Sequence, residues 1–174
     1  MSDPLRPFGD PRPILHTHLS ALAAGDMAGA RAISLTYRIS GGPPGKRLLE
    51  LLQVSGSGQA TYRHEDQLAR GRPVNTRVRL PQEDVVGLFR QVHVSGLLNH
   101  RDTGNGFLPD SIIGSITLEA PDARLTYYFL ADDTQRTAQR KELAEPLRAL
   151  KPLLETLSQR VRNARPRRSQ RKGE

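Results

Sequence analysis

Among the side chains able to do acid–base chemistry, His93, His100 and Asp102 form the best catalytic candidate, with Asp110 nearby. A histidine oriented by a carboxylate is half of many proton-transfer sites. His93 falls near the end of a predicted helix and His100 in the glycine-rich loop after it, so the two can converge in a hydrolase-like site. A plainer reason for His93 is that a helix C-terminus favours a cation. His16 and His18, two residues apart, have the spacing of a metal clip. No carboxylate nearby in sequence offers a third ligand, and a metal centre needs three or four. They read as solvated side chains, and no metal or other cofactor is expected. Ser55-Gly56-Ser57-Gly58 and Gly104-Asn105-Gly106 read as turns. Neither is followed by the Lys-Ser or Lys-Thr of a phosphate loop, and neither sits between a strand and a helix as a dinucleotide fingerprint does.

Cations give the stronger pattern. Lys plus Arg is 26 against 18 Asp plus Glu, a net charge of +8 over 174 residues. Arg160, Arg162, Arg165, Arg167, Arg168, Arg171 and Lys172 face one acid, Glu174, so +6 of that charge lies in the last 15 residues. From Arg165 to Lys172 there is no apolar side chain to pack. Such a segment cannot offset its ordering entropy by burial and is expected to be disordered alone. Clustered cations displace counterions from a polyanion, which makes nucleic acid or a nucleoprotein assembly the natural partner. A membrane surface fits less well, since no apolar anchor flanks the cluster. A second, sparser set, Arg38, Arg63, Arg77 and Arg79, alternates with apolar residues and shares the polar face of a predicted sheet. Thr36, Thr61 and Asn75 accompany them, with Glu65 and Glu119 as the main opposing acids. Arginine and threonine are also ordinary residues on an open antiparallel face.

The elements that would position these residues follow from periodicity. Ile33, Leu35, Tyr37 and Ile39 alternate with Ser34, Thr36, Arg38 and Ser40, which predicts a half-buried strand. Glycine-rich turns at 41–45 and 55–58 bound a second strand over 47–54, and Ala60, Tyr62 and His64 begin a third. Val74, Thr76, Val78 and Leu80 mark a fourth. Pro81 opens a helix with Val85, Leu88, Phe89 and Val92 on one face and Gly96 as its stop. Strands at 112–119 and 125–130 join across Pro121-Asp122 as a hairpin. Leu143, Leu147, Leu150, Leu154, Leu157 and Val161 then trace one helix face, with Pro146 near the start and a bend at Pro152.

The predicted fold is therefore α+β: an antiparallel sheet of five or six strands, two main helices on one face, in the order β-β-β-β-α-β-β-α. Residues 1–30 read as a flexible or weakly helical N-terminal arm, with a short helix from Ile14 to Ala24. Residues 31–161 read as the domain and 162–174 as a disordered Arg-rich tail. The chain has no cysteine, which excludes a disulfide scaffold, a thiol nucleophile and an iron–sulfur site. No apolar run approaches the roughly 20 residues that span a bilayer, and the N-terminus lacks a secretory pattern, so a cytoplasmic protein is expected. Three functions fit. The first is a non-enzymatic binding or accessory protein whose tail contacts nucleic acid or another polyanion. The second is a protein-interaction module using the open sheet face or the leucine helix. The third is the enzyme built on His93, His100 and Asp102. Tyr37, Tyr62 and Tyr127 fall on the core-facing register, so the stacking platform of an RNA-binding sheet is not expected.

Overall fold

In the computed structural model, residues 9–26, 32–68, 72–100, 111–131 and 141–164 are described, with the backbone alone described over 141–144. The chain forms α1 (Arg12–Ala23), β1 (Ser34–Gly41), β2 (Leu48–Ser55), β3 (Gln59–Asp66), β4 (Val74–Arg79), α2 (Gln82–Val94), β5 (Ile112–Ala120), β6 (Ala123–Leu130) and α3 (Lys141–Asn163). All six strands pair antiparallel in the order β4-β3-β2-β1-β5-β6. This is the predicted α+β arrangement, with β4 and β6 at the edges.

The period-two alternation fixes which residues reach the core. Leu35, Tyr37 and Ile39 are buried, while Arg38 between them is exposed. Register carries the pattern across the sheet: Tyr37 faces Leu52 on β2 and Ile116 on β5, and these in turn face Tyr62 and Tyr127. All five are buried, so the three tyrosines belong to the core. One close approach is specific to glycine. Gly114 pairs with Phe129, whose ring carbon Cε2 lies only 2.1 Å from where a Cβ on residue 114 would sit.

The helices bury the matching apolar faces. Val85, Leu88, Phe89 and Val92 of α2 are all within the core, and Gly96 closes the helix at a left-handed φ of 77°. The N-terminal stretch does more than the sequence suggested. Leu15, Leu19 and Leu22 of α1 are fully buried, and the helix packs on α2, β5 and β6. Residues 12–23 are thus part of the domain, and a short helix of modest propensity is held by packing. Pro13 sits in its first turn, where the missing N–H is unimportant, and Gly25 (φ 84°) follows its end.

The start of α3 also differs from the expected position at Pro146. The helix begins at Lys141, so Pro146 and Pro152 both lie inside it. Each internal proline costs about 3 kcal/mol. Leu147, Leu150, Leu154, Leu157 and Val161 are buried, each contributing about 1.5–3 kcal/mol, which together outweigh the two prolines. The leucine stripe is therefore committed to the core of this chain. The helix continues to Asn163, past the expected domain end at 161.

Candidate nucleic-acid interface

The end of α3 is pinned at the β4 edge of the sheet. The helix packs on β3 and β4, Val161 is 1% exposed, and Arg160 donates from Nη2 to Asp84 Oδ2 of α2 at 2.7 Å. Arg162 lies close enough to the Tyr62 phenol of β3 to act on its ionisation. Burial raises that phenol above its ordinary value, Glu50 adds to the rise, and Arg162 opposes it. The N–H of Ala164 then donates to the Val161 carbonyl, and the chain leaves the helix there. Arg165, Arg167, Arg168, Arg171 and Lys172 lie outside the described residues.

The same edge carries the exposed arginines of β4. Arg77 and Arg79 project from the outer face, opposite Thr61 and Gln59, and Arg72 is exposed just before the strand. None of the three makes an ion pair among the described residues. Arg63 of β3 is exposed but held by Glu65, with Nε donating to Oε1 at 2.6 Å. Arg38 is exposed further in, on β1, between Leu51 and Ser115. Glu119 sits on β5, opposite Arg124 of β6, with β1, β2 and β3 lying between it and Arg77. Outer-face exposure therefore falls from β4 toward β5, where Ser115 and Thr117 are buried. Charged side chains on an edge strand also deter unwanted strand pairing, which alone would account for some of this pattern.

The histidine candidates have separate contacts among the described residues. His93 meets His16 and Ser20 of α1, with its Nε2 3.2 Å from His16 Nε2 and 3.3 Å from Ser20 Oγ. The carbonyl of His100 accepts a hydrogen bond from the Tyr127 hydroxyl at 3.2 Å. Asp102 and Asp110 lie outside the described residues. His16, expected to be solvated, is in ring contact with His93, their centroids 4.8 Å apart and the planes at 68°.

One polar group was missed by sequence reasoning altogether. Glu50 and His64 are direct cross-strand partners on the helix-covered face of the sheet. The His64 ring is nearly parallel to that of Tyr62, with centroids 6.5 Å apart. Among the described residues its buried Nδ1 has no hydrogen-bond partner, and neither has the Oγ of Ser158 on α3. Burial also pushes the Tyr37 phenol well up, assisted by Glu155 and Glu50. The clue in the sequence is period two, since Glu50 and His64 share the inward register of Leu52 and Tyr62. Glu50, His64, Tyr62 and Arg162 thus adjoin one another on β2, β3 and α3.

Compared with known proteins, the chain matches no protein-family model and no curated protein. Among the described residues no helix is long and apolar enough to cross a membrane, and no group of three or more His, Asp or Glu side chains could hold a metal.

Proposed function

We propose that this protein is a non-enzymatic binding or accessory module that contacts nucleic acid through one continuous basic surface. That surface joins Arg72, Arg77 and Arg79 at the β4 edge to the Arg-rich segment beyond Ala164. A single observation carries the reading: the last turn of α3 is anchored beside β4, the edge whose exposed arginines make no ion pair among the described residues. Arginine suits this role because its planar fork pairs with phosphate oxygens. Phosphate contacts give affinity and carry little sequence information, so binding is sequence-tolerant and strongly salt-dependent. With Tyr37, Tyr62 and Tyr127 buried, these rings offer no base-stacking platform.

The test is fluorescence anisotropy with labelled single- and double-stranded nucleic acid over a range of salt concentrations. The full chain is compared with a chain ending at Ala164, which keeps Val161 and the Arg160–Asp84 contact. The proposal expects salt-dependent binding that weakens sharply, yet remains measurable, after truncation. Absence of binding by both forms at low salt rejects it.

A second reading is favoured by the apolar corner of the outer face. Leu49, Ile113 and Leu130 are half-buried there, on β2, β5 and β6. They suit a protein partner, and pull-down with a chain carrying Leu49→Lys would separate that reading from nucleic-acid binding.

A further inference from the structure

His16 and Ser20 of α1 meet His93 of α2 in a polar contact between the two helices. His16 and Ser20 lie one turn apart on α1, and the Ser20 Oγ is 3.3 Å from His16 Nδ1. Across the interface, His93 Nε2 is 3.3 Å from that hydroxyl and 3.2 Å from His16 Nε2. Two nitrogens bound to one tetrahedral ion, each at about 2.05 Å, are about 3.3 Å apart. The observed separation is thus already that of two ligands on a single ion.

The partners of these rings favour the same use. A His16 Nδ1–H donated to Ser20 leaves the His16 Nε2 lone pair free, which is how a second hydrogen bond selects the metal-binding tautomer of a histidine. His93 reaches the matching state by carrying its proton on Nδ1. The nearby cations are turned elsewhere. Arg12, one turn before His16, is bound to Asp10, with Nε donating to its two oxygens at 2.9 Å each. Arg90, one turn before His93, donates from Nη2 to the Ala23 carbonyl at 3.0 Å. His16 is exposed and His93 half-buried, so an ion from solution can reach both rings.

We propose that His16 and His93 form a cross-helix binding site for a divalent ion of zinc, nickel or copper type, with Ser20 orienting His16. Water fills the remaining coordination positions. Imidazole suits these metals and not magnesium or calcium. Two protein ligands fall short of the three or four of a dedicated metal centre, so the affinity is modest, and because the ligands come from different helices the ion clamps α1 onto α2. The pairing joins residues 77 apart in sequence.

The experiment is a titration of the tag-free full chain with zinc and with nickel, followed by calorimetry and by thermal unfolding. One ion per chain is expected to bind and to raise the melting temperature. His16→Ala and His93→Ala should each abolish the shift, His18→Ala should leave it intact, and Ser20→Ala should weaken binding by roughly tenfold. Should a histidine variant fold poorly, imidazole NMR of the unmodified chain supplies the readout. Zinc should then move the resonances of the two histidines whose rings show a mutual through-space contact, out of five in the chain. Binding that survives both His16→Ala and His93→Ala, equal loss with His18→Ala, or unmoved resonances for the coupled pair would each overturn the proposal.

Discussion

Arg160 Nη2 donates to Asp84 Oδ2 at 2.7 Å, joining the last turn of α3 to the first turn of α2. Asp84 follows β4 closely in the chain, so this contact fixes where the basic tail leaves the domain. The two side chains are 55% and 30% exposed, and an exposed pair of this kind contributes about 0.2–1 kcal/mol. Asp84 also complements the dipole of α2 at its N-terminal end, an added few tenths of a kcal/mol. Asp84→Ala should therefore lower stability in chemical denaturation more than Arg160→Ala does. It should also leave nucleic-acid affinity equal or higher, because it releases a cation.

Gly114 and Phe129 define a tight packing constraint between β5 and β6. A Cβ at position 114 would sit 2.1 Å from the Phe129 ring, which is fully buried and must then move. Gly114→Ala should destabilise the fold by about 1–3 kcal/mol through overpacking. Combining it with Phe129→Ala should cost less than the sum of the two single changes, since both act on one volume. Additive losses in denaturant unfolding would contradict this geometry.

Ser158 gives the opposite sign. Its buried Oγ on α3 has no hydrogen-bond partner among the described residues, and the residue is 1% exposed. An unsatisfied buried hydroxyl costs about 1–3 kcal/mol. Ser158→Ala should raise the melting temperature, and a lower one would mean that the hydroxyl has a partner.

The buried phenols set an alkaline limit. Burial raises both Tyr37 and Tyr62 above the ordinary tyrosine value of 10.0, with Glu155 and Glu50 adding to the rise of Tyr37. A folded-state value above the unfolded one means that the native state holds the proton more tightly. The resulting stability is fully present below pH 10 and is lost as pH rises from there toward the folded-state values. Melting temperature should fall progressively above pH 10, and Tyr37→Phe should flatten that fall. The check is thermal unfolding alongside tyrosinate absorbance.

The sheet was legible because its evidence is local. Alternation from Ile33 to Ile39 and the hairpin across Pro121-Asp122 carry their own periodicity, as do the leucines of α3. The inward placement of Tyr37, Tyr62 and Tyr127 followed from the same period. α1 was underestimated because its stability comes from contact with α2 and β5, which no local pattern reports. The beginning of α3 was misplaced because proline propensity was weighed without the burial that overrides it. Among site residues, the outward arginines were visible in the alternation. That α3 ends beside β4 was not, since it depends on how the helix crosses the sheet. The contact of His16 with His93 and the pairing of Glu50 with His64 likewise depend on tertiary packing or register.

The most direct test of the central claim is the salt dependence of duplex DNA binding by the full chain against an Arg77→Ser/Arg79→Ser double variant. Both arginines are exposed and make no ion pair among the described residues, so their loss should leave stability nearly unchanged. If the β4 edge and the tail form one surface, the slope of log K against log salt should fall by about 2, one counterion for each lost phosphate contact. An unchanged slope and affinity with the tail intact would show that the β4 edge takes no part and would contradict the account.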